Sequence, residues 1–209
     1  MYMKAIFHIH TKYSFDSILS PKKIVDLAWK NKINFVFITD HNTIHGALEA
    51  KEYAKKNKIP VDVIIGEEVA TDVGDIIGIF LKRNIKSRDY KKVMNEIRKQ
   101  GGMAVLPHPL VSHDIEKISK FKNIDFVEVW NSRTSEKNEI NVEKLIEKLD
   151  SKPIVGSDAH LTNEIFNSLI LFESINEFKK GKIKFRIIKK SNKFNKIISL
   201  VFKKLKGLT

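Results

Sequence analysis

The sequence predicts an α/β fold, a closed or nearly closed barrel of mostly parallel strands with helices outside. Three observations carry this reading. Short runs rich in Ile, Val and Phe alternate with helix-like segments over the first 172 residues, the pattern of strands covered on both faces. Histidines and carboxylates recur at or just past the ends of five of those runs. Side chains that converge from five strands suit a (β/α)-type barrel, whereas an open doubly wound sheet gathers its site at one switch point. The 209 residues show no internal repeat and match one domain with a full core.

Residues 6–9 form the first strand. Residues 21–31 read as a helix, with Pro21 at its first position after Ser20. A strand over 34–39 precedes a helix over 46–57. Strands over 61–66 and 75–81 are neighbours joined by a turn at 72–74. Residues 87–100 form a helix ended by Gly101-Gly102. Strands follow over 103–106, 125–129 and 153–156, with helices over 115–120 and 139–149 between them, and 168–172 is a last strand.

Composition excludes several classes. The chain has no cysteine, hence no disulfide scaffold and no thiolate metal site, which fits a reducing cytoplasm. No apolar run approaches the ~20 residues that span a bilayer, and Lys4 followed by histidines is not a signal peptide. The net charge of +13 is unevenly placed. Residues 179–209 hold twelve basic residues and no carboxylate, leaving 26 basic against 25 acidic groups in the first 178. Electrostatic arguments about partners therefore concern the tail.

The chemistry lies in the strand-end motifs. His8 and His10 stand two apart in a strand-like run, which puts both on one face, and Asp158 and His160 repeat the spacing. Between them come Thr39-Asp40-His41, Gly66-Glu67-Glu68 and Leu106-Pro107-His108-Pro109. Singly these motifs are common; five in order, each behind its own strand, are specific. Nitrogen and oxygen donors without sulfur suit Zn²⁺, Mn²⁺ or Fe²⁺. Two or three such ions lower the pKa of a shared water to ~7 and clamp phosphate oxygens, which favours in-line attack on a phosphoester. A side-chain nucleophile has no motif here: there is no Gly-x-Ser-x-Gly elbow and no thiol. Glu67 faces away from Glu68, His113 is a loop residue, and Asp40 is placed to orient His41 from behind.

The ordered set His-x-His, Thr-Asp-His, Gly-x-Glu, His-Pro and Ser-Asp-x-His resembles the PHP family, the polymerase and histidinol phosphatase domains, over about residues 3–172. Within it the chain is most similar to the small stand-alone metal-dependent phosphoesterases. The resemblance implies a distorted (β/α)7 TIM-like barrel with up to three metal ions. It implies that His8, His10, Glu68 and Asp158 hold the first metal, and that Glu68 bridges to a second bound by His108. Asp16, His41 and His160 would hold the third. Where many relatives carry a further histidine for the second metal, Asp75 is the nearest counterpart. After the 125–129 strand, relatives offer a histidine or carboxylate, whereas this chain carries Glu128 and then Trp130-Asn131. Glu68, Asp158, His41 and Arg133 are the residues assigned to catalysis, with Arg133 and His45 as phosphate contacts.

The expected activity is hydrolysis of a phosphate ester, whether nucleotide, short oligonucleotide or small metabolite phosphate, by a metal-activated water. The competing readings are a metal hydrolase of the amidohydrolase type and an accessory module with a silent site. Glu68 fills the bridging role for which an amidohydrolase uses a carbamylated lysine. The tail, expected as a basic extension over 179–209 beside a barrel over 1–178, alternates at 182–187 like a strand and then becomes an amphipathic basic helix. The plainest expectation docks its apolar stripe, Phe194, Ile197, Ile198, Val201, Phe202, Leu205 and Leu208, on the barrel and leaves the lysines in solvent. The sharper ones are contact with nucleic-acid phosphates or a peripheral membrane surface. Every suspected ligand precedes residue 161, so the tail is expected to be separable from the chemistry.

Overall fold

The computed structural model describes residues 2–111, 113–118, 123–134 and 142–206. The ends of two expected helices, at 119–120 and 139–141, and Leu208 lie outside the described residues. The strands are β1 (Met3–Ile9), β2 (Phe35–Ile38), β3 (Asp62–Thr71), β4 (Gly74–Ile79), β5 (Met103–Leu106), β6 (Phe126–Asn131), β7 (Lys152–Gly156), β8 (Ser168–Phe172) and β9 (Lys184–Ile187). The helices are α1 (Pro21–Lys30), α2 (His45–Lys56), α3 (Tyr90–Lys99), α4 (Ile115–Ile118), α5 (Val142–Leu149), α6 (Ile175–Lys179) and α7 (Lys193–Leu205).

The strands form one sheet in the order β7-β6-β5-β4-β3-β2-β1-β8-β9. The sheet curls until the segment after β7 meets β1: Ser157 N donates to Phe7 O at 2.9 Å, and His10 N to Ala159 O at 2.9 Å. Nearer its start β1 pairs instead with β8. The result is an α/β barrel, nearly closed, with the joint open at one end. Strict strand–helix alternation breaks at β3 and β4, an antiparallel hairpin turning through Gly74, whose φ of +120° suits glycine. The pairs β1/β2, β2/β3, β5/β6 and β6/β7 are parallel.

Phe7, Phe37, Ile77, Val105, Phe126 and Ile154, one from each of six strands, share one core cluster, which places it inside the barrel. Phe178 of α6 packs in tilted and edge-on contact with Phe37, Phe126 and Phe172 at 5.1–5.3 Å and plugs that interior. Two further clusters fill the space between strands and outer helices. Local signals explain the helix starts: Pro21 opens α1, and the Asp89 side chain caps α3 by accepting from Lys92 N at 2.9 Å. That cap starts α3 three residues after the expected boundary.

The tail departs from expectation. α7 lies on the barrel with Asn195 and Ser199 buried. The expected stripe divides: Ile198 and Phe202 are half-buried, while Phe194, Ile197, Val201 and Leu205, with Leu200 beside them, are exposed. The division at 178/179 falls inside α6. Among the described residues, no helix is long and apolar enough to cross a membrane.

Candidate metal centre

The first strand shows how the chain builds the site. Along β1, Ile6 packs outward, Phe7 inward and Ile9 outward, and the buried His8 also turns inward. Two consecutive inward residues break the two-residue alternation. A bulge supplies the break: the register with β2 slips by one residue between Ile6 and Ile9, and His8 has φ of +63°. Phe7 can then fill the barrel while His8 and His10 both reach its mouth. His108 (φ +29°) and Asp158 (φ +46°) are also left-handed. Such backbone costs ~1–3 kcal/mol per non-glycine residue and persists where the surroundings fix it.

Glu68 lies at the centre. Its Oε2 is 3.3 Å from His8 Nε2, 3.2 Å from His10 Nε2 and 3.3 Å from His41 Nδ1. Its Oε1 is 3.1 Å from His108 Nε2. Asp158 Oδ1 lies 3.5 Å from His8 Nε2 and 3.3 Å from His10 Nε2. Asp16 Oδ2 lies 3.0 Å from His160 Nε2 and 3.6 Å from His41 Nε2. Three groups offer atoms all within 4.8 Å of one another: His8, His10 and Asp158; His8, Glu68 and His108; His10, Asp16, His41 and His160.

Hydrogen bonds behind the rings settle which nitrogen faces inward. His8 Nδ1 donates to Glu128 Oε1 at 2.8 Å, so in the neutral ring Nε2 is the nitrogen left with a lone pair toward the site. His10 Nδ1 donates to Ser14 Oγ at 3.1 Å, and that hydroxyl donates to Asp40 Oδ1 at 2.8 Å. His160 Nδ1 donates to the Asp158 carbonyl at 2.9 Å. His10 Nε2 is buried and makes no aligned hydrogen bond, although two carboxylate oxygens lie nearby. Asp16 Oδ1 is buried without a partner too. Lone pairs converging from imidazole and carboxylate, with orphaned buried atoms among them, fit divalent metal.

The electrostatics point the same way. Burial works against charge on His8, but Glu128, Asp158 and Glu68 outweigh it and raise its pKa well above the usual value. His10 is likewise opposed by burial and pushed up to about 10 by Asp158 and Glu68, and His108 to about 9 by Glu68. Burial lifts Glu68, yet His8 and His41 hold it well below the carboxylate range. The pocket is a buried concentration of anionic oxygen that draws positive charge from whatever can supply it.

The PHP domain model matches residues 7–204. The chain belongs to the PHP domain family. It is 38% identical over 165 residues to an uncharacterized protein of Methanocaldococcus jannaschii, covering 72% of this chain and 95% of the relative. In fold it is similar to a two-domain protein of Bacteroides vulgatus described as containing a predicted PHP-like metal-dependent phosphoesterase. The TM-score is 0.75 at 17% identity, over 90% of this chain and 65% of that one. An amidohydrolase from Chromobacterium violaceum, solved with bound sulfate and no metal, matches with TM-score 0.65 at 14% identity, over 86% of this chain and 97% of that one.

In this PHP domain the geometry brings together His8, His10, Asp16, His41, Glu68, His108, Asp158 and His160. Asp75 stays outside all three groups; it pairs with Ala70 in the hairpin and its carboxyl pKa is raised, first by burial and then by Glu68. Its backbone carbonyl instead lies 2.9 Å from His113 Nε2. Arg133 is committed to Glu164 through two bonds of 3.1 and 2.9 Å and to Ser199 Oγ at 2.9 Å, so its guanidinium is not turned to the groups. His45 is exposed and bonded to Thr43. Asp40 grips Thr11 and Ser14 and so acts on His10 through the Ser14 hydroxyl. Sequence reasoning passed over three participants. Glu128 supports His8, and its carboxylate fits because a Cβ at Gly156 would overlap it. Ser14 carried no signal beyond lying in the loop of Asp16. Lys196 of α7 has its ammonium pKa lowered by burial, Arg133 and Lys190, with Asp158 and Glu164 close enough to pull the other way.

Proposed function

We propose that this PHP domain is a metal-dependent phosphoesterase whose substrate is a nucleotide, short oligonucleotide or small metabolite phosphate. The observation that carries the reading is Glu68, whose two carboxylate oxygens lie between four histidines with Asp158 beside them. His8, His10, Glu68 and Asp158 would hold one ion, with Glu68 shared toward His108, and Asp16, His41 and His160 would hold another. Zn, Mn and Fe fit this donor set. Bound ions supply Lewis-acid polarisation of phosphate oxygens and a water whose pKa falls to ~7.

The residues of the chain do the rest. Glu128, Ser14 and the Asp158 carbonyl keep protons on the outer ring nitrogens of His8, His10 and His160, so their Nε2 atoms stay available as donors. Asp158 and Glu68 stay ionised through the surrounding histidines. Arg133 orders the segment of His160 through Glu164, which accepts from His160 N at 3.0 Å. The shared chemistry is an electrophilic clamp for a phosphoryl group.

The test compares metal-stripped protein with protein reloaded with Mn²⁺ or Zn²⁺ on aryl phosphomonoesters, aryl phosphodiesters and short oligonucleotides. Metal-dependent release of phosphate or of nucleotide supports the proposal. Hydrolysis confined to amides or lactones would transfer the site to the amidohydrolase reading. A metal-loaded protein inert on every ester would make it an accessory module.

A further inference from the structure

We propose that the outward face of α7 docks this domain on an anionic lipid surface. The helix is 13 residues long and sits on the barrel the wrong way round for a core helix. Successive residues turn by ~100°, which separates two faces. One carries Asn195, Ser199 and Lys206, with the half-buried Phe202 beside them, and is spent on the barrel. Ser199 Oγ accepts from Arg133 at 2.9 Å, and the Asn195 amide exchanges bonds of 3.3 and 3.1 Å with Asn163. Lys206 Nζ donates to the carbonyls of Lys12, Ser14 and Ser17 at 3.2, 2.6 and 3.0 Å. The opposite face carries Phe194 (67% exposed), Ile197 (55%), Leu200 (64%), Val201 (50%) and Leu205 (74%). Lys193 and Lys204 fall within that face, between Leu200 and Ile197 around the helix.

A run of five large apolar side chains held outward by polar anchors marks an interaction surface. Charge selects the occupant. Residues 179–209 carry twelve basic groups and no carboxylate, so the partner is anionic. A second copy would set the same lysines against each other with no tail carboxylate between them. A nucleic acid would meet the lysines but leave the aliphatic stripe without use, since bases stack on aromatic rings and this face offers one, Phe194. An anionic bilayer interface takes both at once, apolar side chains below the headgroups and ammonium groups among the phosphates. At 13 residues the helix falls short of the ~20 needed to span, so it would lie in the interface. The inference is independent of the hydrolytic reading.

The experiment is co-flotation of the full chain with vesicles of phosphatidylglycerol mixed into phosphatidylcholine, against phosphatidylcholine alone. Partitioning should be about tenfold or more stronger on the anionic vesicles and should fall as salt rises. The pair Ile197→Glu and Leu205→Glu should weaken it by a further factor of about ten or more, each removing an aliphatic group that the bilayer would bury. Both positions are exposed, so an unchanged thermal melting curve checks that the variant folds. Equal partitioning of parent and variant, or no vesicle binding by the parent, overturns the proposal. So does a parent that sediments as a dimer and a variant that sediments as a monomer, which would give the face to a second copy. Salt-sensitive oligonucleotide binding abolished by the same pair, without vesicle binding, would overturn it too.

Discussion

Replacing Glu128 by Gln should strip the site of a metal donor without touching any proposed ligand. The carboxylate accepts three bonds: from His8 Nδ1 at 2.8 Å on Oε1, and from His108 N and Asn131 Nδ2 at 2.9 Å each on Oε2. A glutamine has one oxygen and one NH₂ for these three donors. If the oxygen takes the Oε1 place, the NH₂ meets two donors, and two buried groups go unsatisfied at ~1–3 kcal/mol each. If it takes the Oε2 place, those two are satisfied and the NH₂ faces His8 Nδ1. The second arrangement costs less, but it forces the His8 proton onto Nε2, the atom that faces Glu68 and Asp158. His8 then has no lone pair for an ion. Residues that orient a metal ligand are worth about 10–100-fold in affinity, or ~1.4–2.7 kcal/mol. Calorimetric titration of Mn²⁺ or Zn²⁺ into stripped protein should show that loss for one class of site, while the class that uses Asp16, His41 and His160 holds. Parent-like affinity at every site would refute the argument that Glu128 sets the His8 tautomer.

Glu68→Ala should lower metal content more than His108→Ala, because Glu68 meets four histidines while the His108 ring meets, among the carboxylates of the described residues, only Glu68; elemental analysis of the two variants decides. Glu67 is buried, with Ile85 N on its Oε2 at 2.8 Å, and burial pushes its carboxyl from 4.5 up to about 7. The native state therefore keeps a proton that the unfolded chain has released, so this group costs stability progressively as pH rises from 4.5 through about 7, by ~3 kcal/mol at most. Glu67→Gln should raise Tm by several degrees at pH 8 and leave it unchanged near pH 4, and an equal gain at both would show that protonation is not the cause. Asp75→Asn should leave metal content at the parent level, since Asp75 lies outside the three groups; a lost ion in the stripped-and-reloaded variant would return it to the ligand set.

The strand-end cluster was legible because barrels concentrate chemistry where strands stop, and each motif sits behind its own apolar run. The hairpin of β3 and β4 was legible from the turn residues around Gly74. How the proposed ligands come together was less so. Two-residue spacing put His8 and His10 on one face, but it could not show that Phe7 also points inward, which requires the bulge at His8. Glu128 read as a departure from the family pattern, because no local signal ties residue 128 to residue 8; only the packing of β6 against the barrel interior brings them to 2.8 Å. The tail erred for a plainer reason. A helical stripe shows that one side is apolar, and a docked helix ordinarily buries that side. Whether it does depends on what the barrel offers opposite, and here it offers carbonyls, Asn163 and Arg133.

That reversed docking ties the tail to the site that sequence spacing left behind at residue 161. The loop after β1 carries Ser14 and Asp16, one behind His10 and one facing His41 and His160. Its carbonyls at Lys12, Ser14 and Ser17 converge on a single ammonium, that of Lys206. Lys203 lies 5.1 Å over the ring of Phe15, which itself stacks on His41 at 4.5 Å. Arg133 joins Ser199 to Glu164, and Glu164 accepts from His160 N at 3.0 Å. α7 thus touches the supports of three proposed ligands while supplying none. The rotation that brings Lys206 to these three carbonyls leaves Phe194, Ile197, Leu200, Val201 and Leu205 outside. The exposed stripe and the ordered acidic loop are consequences of one packing choice, so a surface that captured the stripe would bear directly on the helix that holds Asp16 in place.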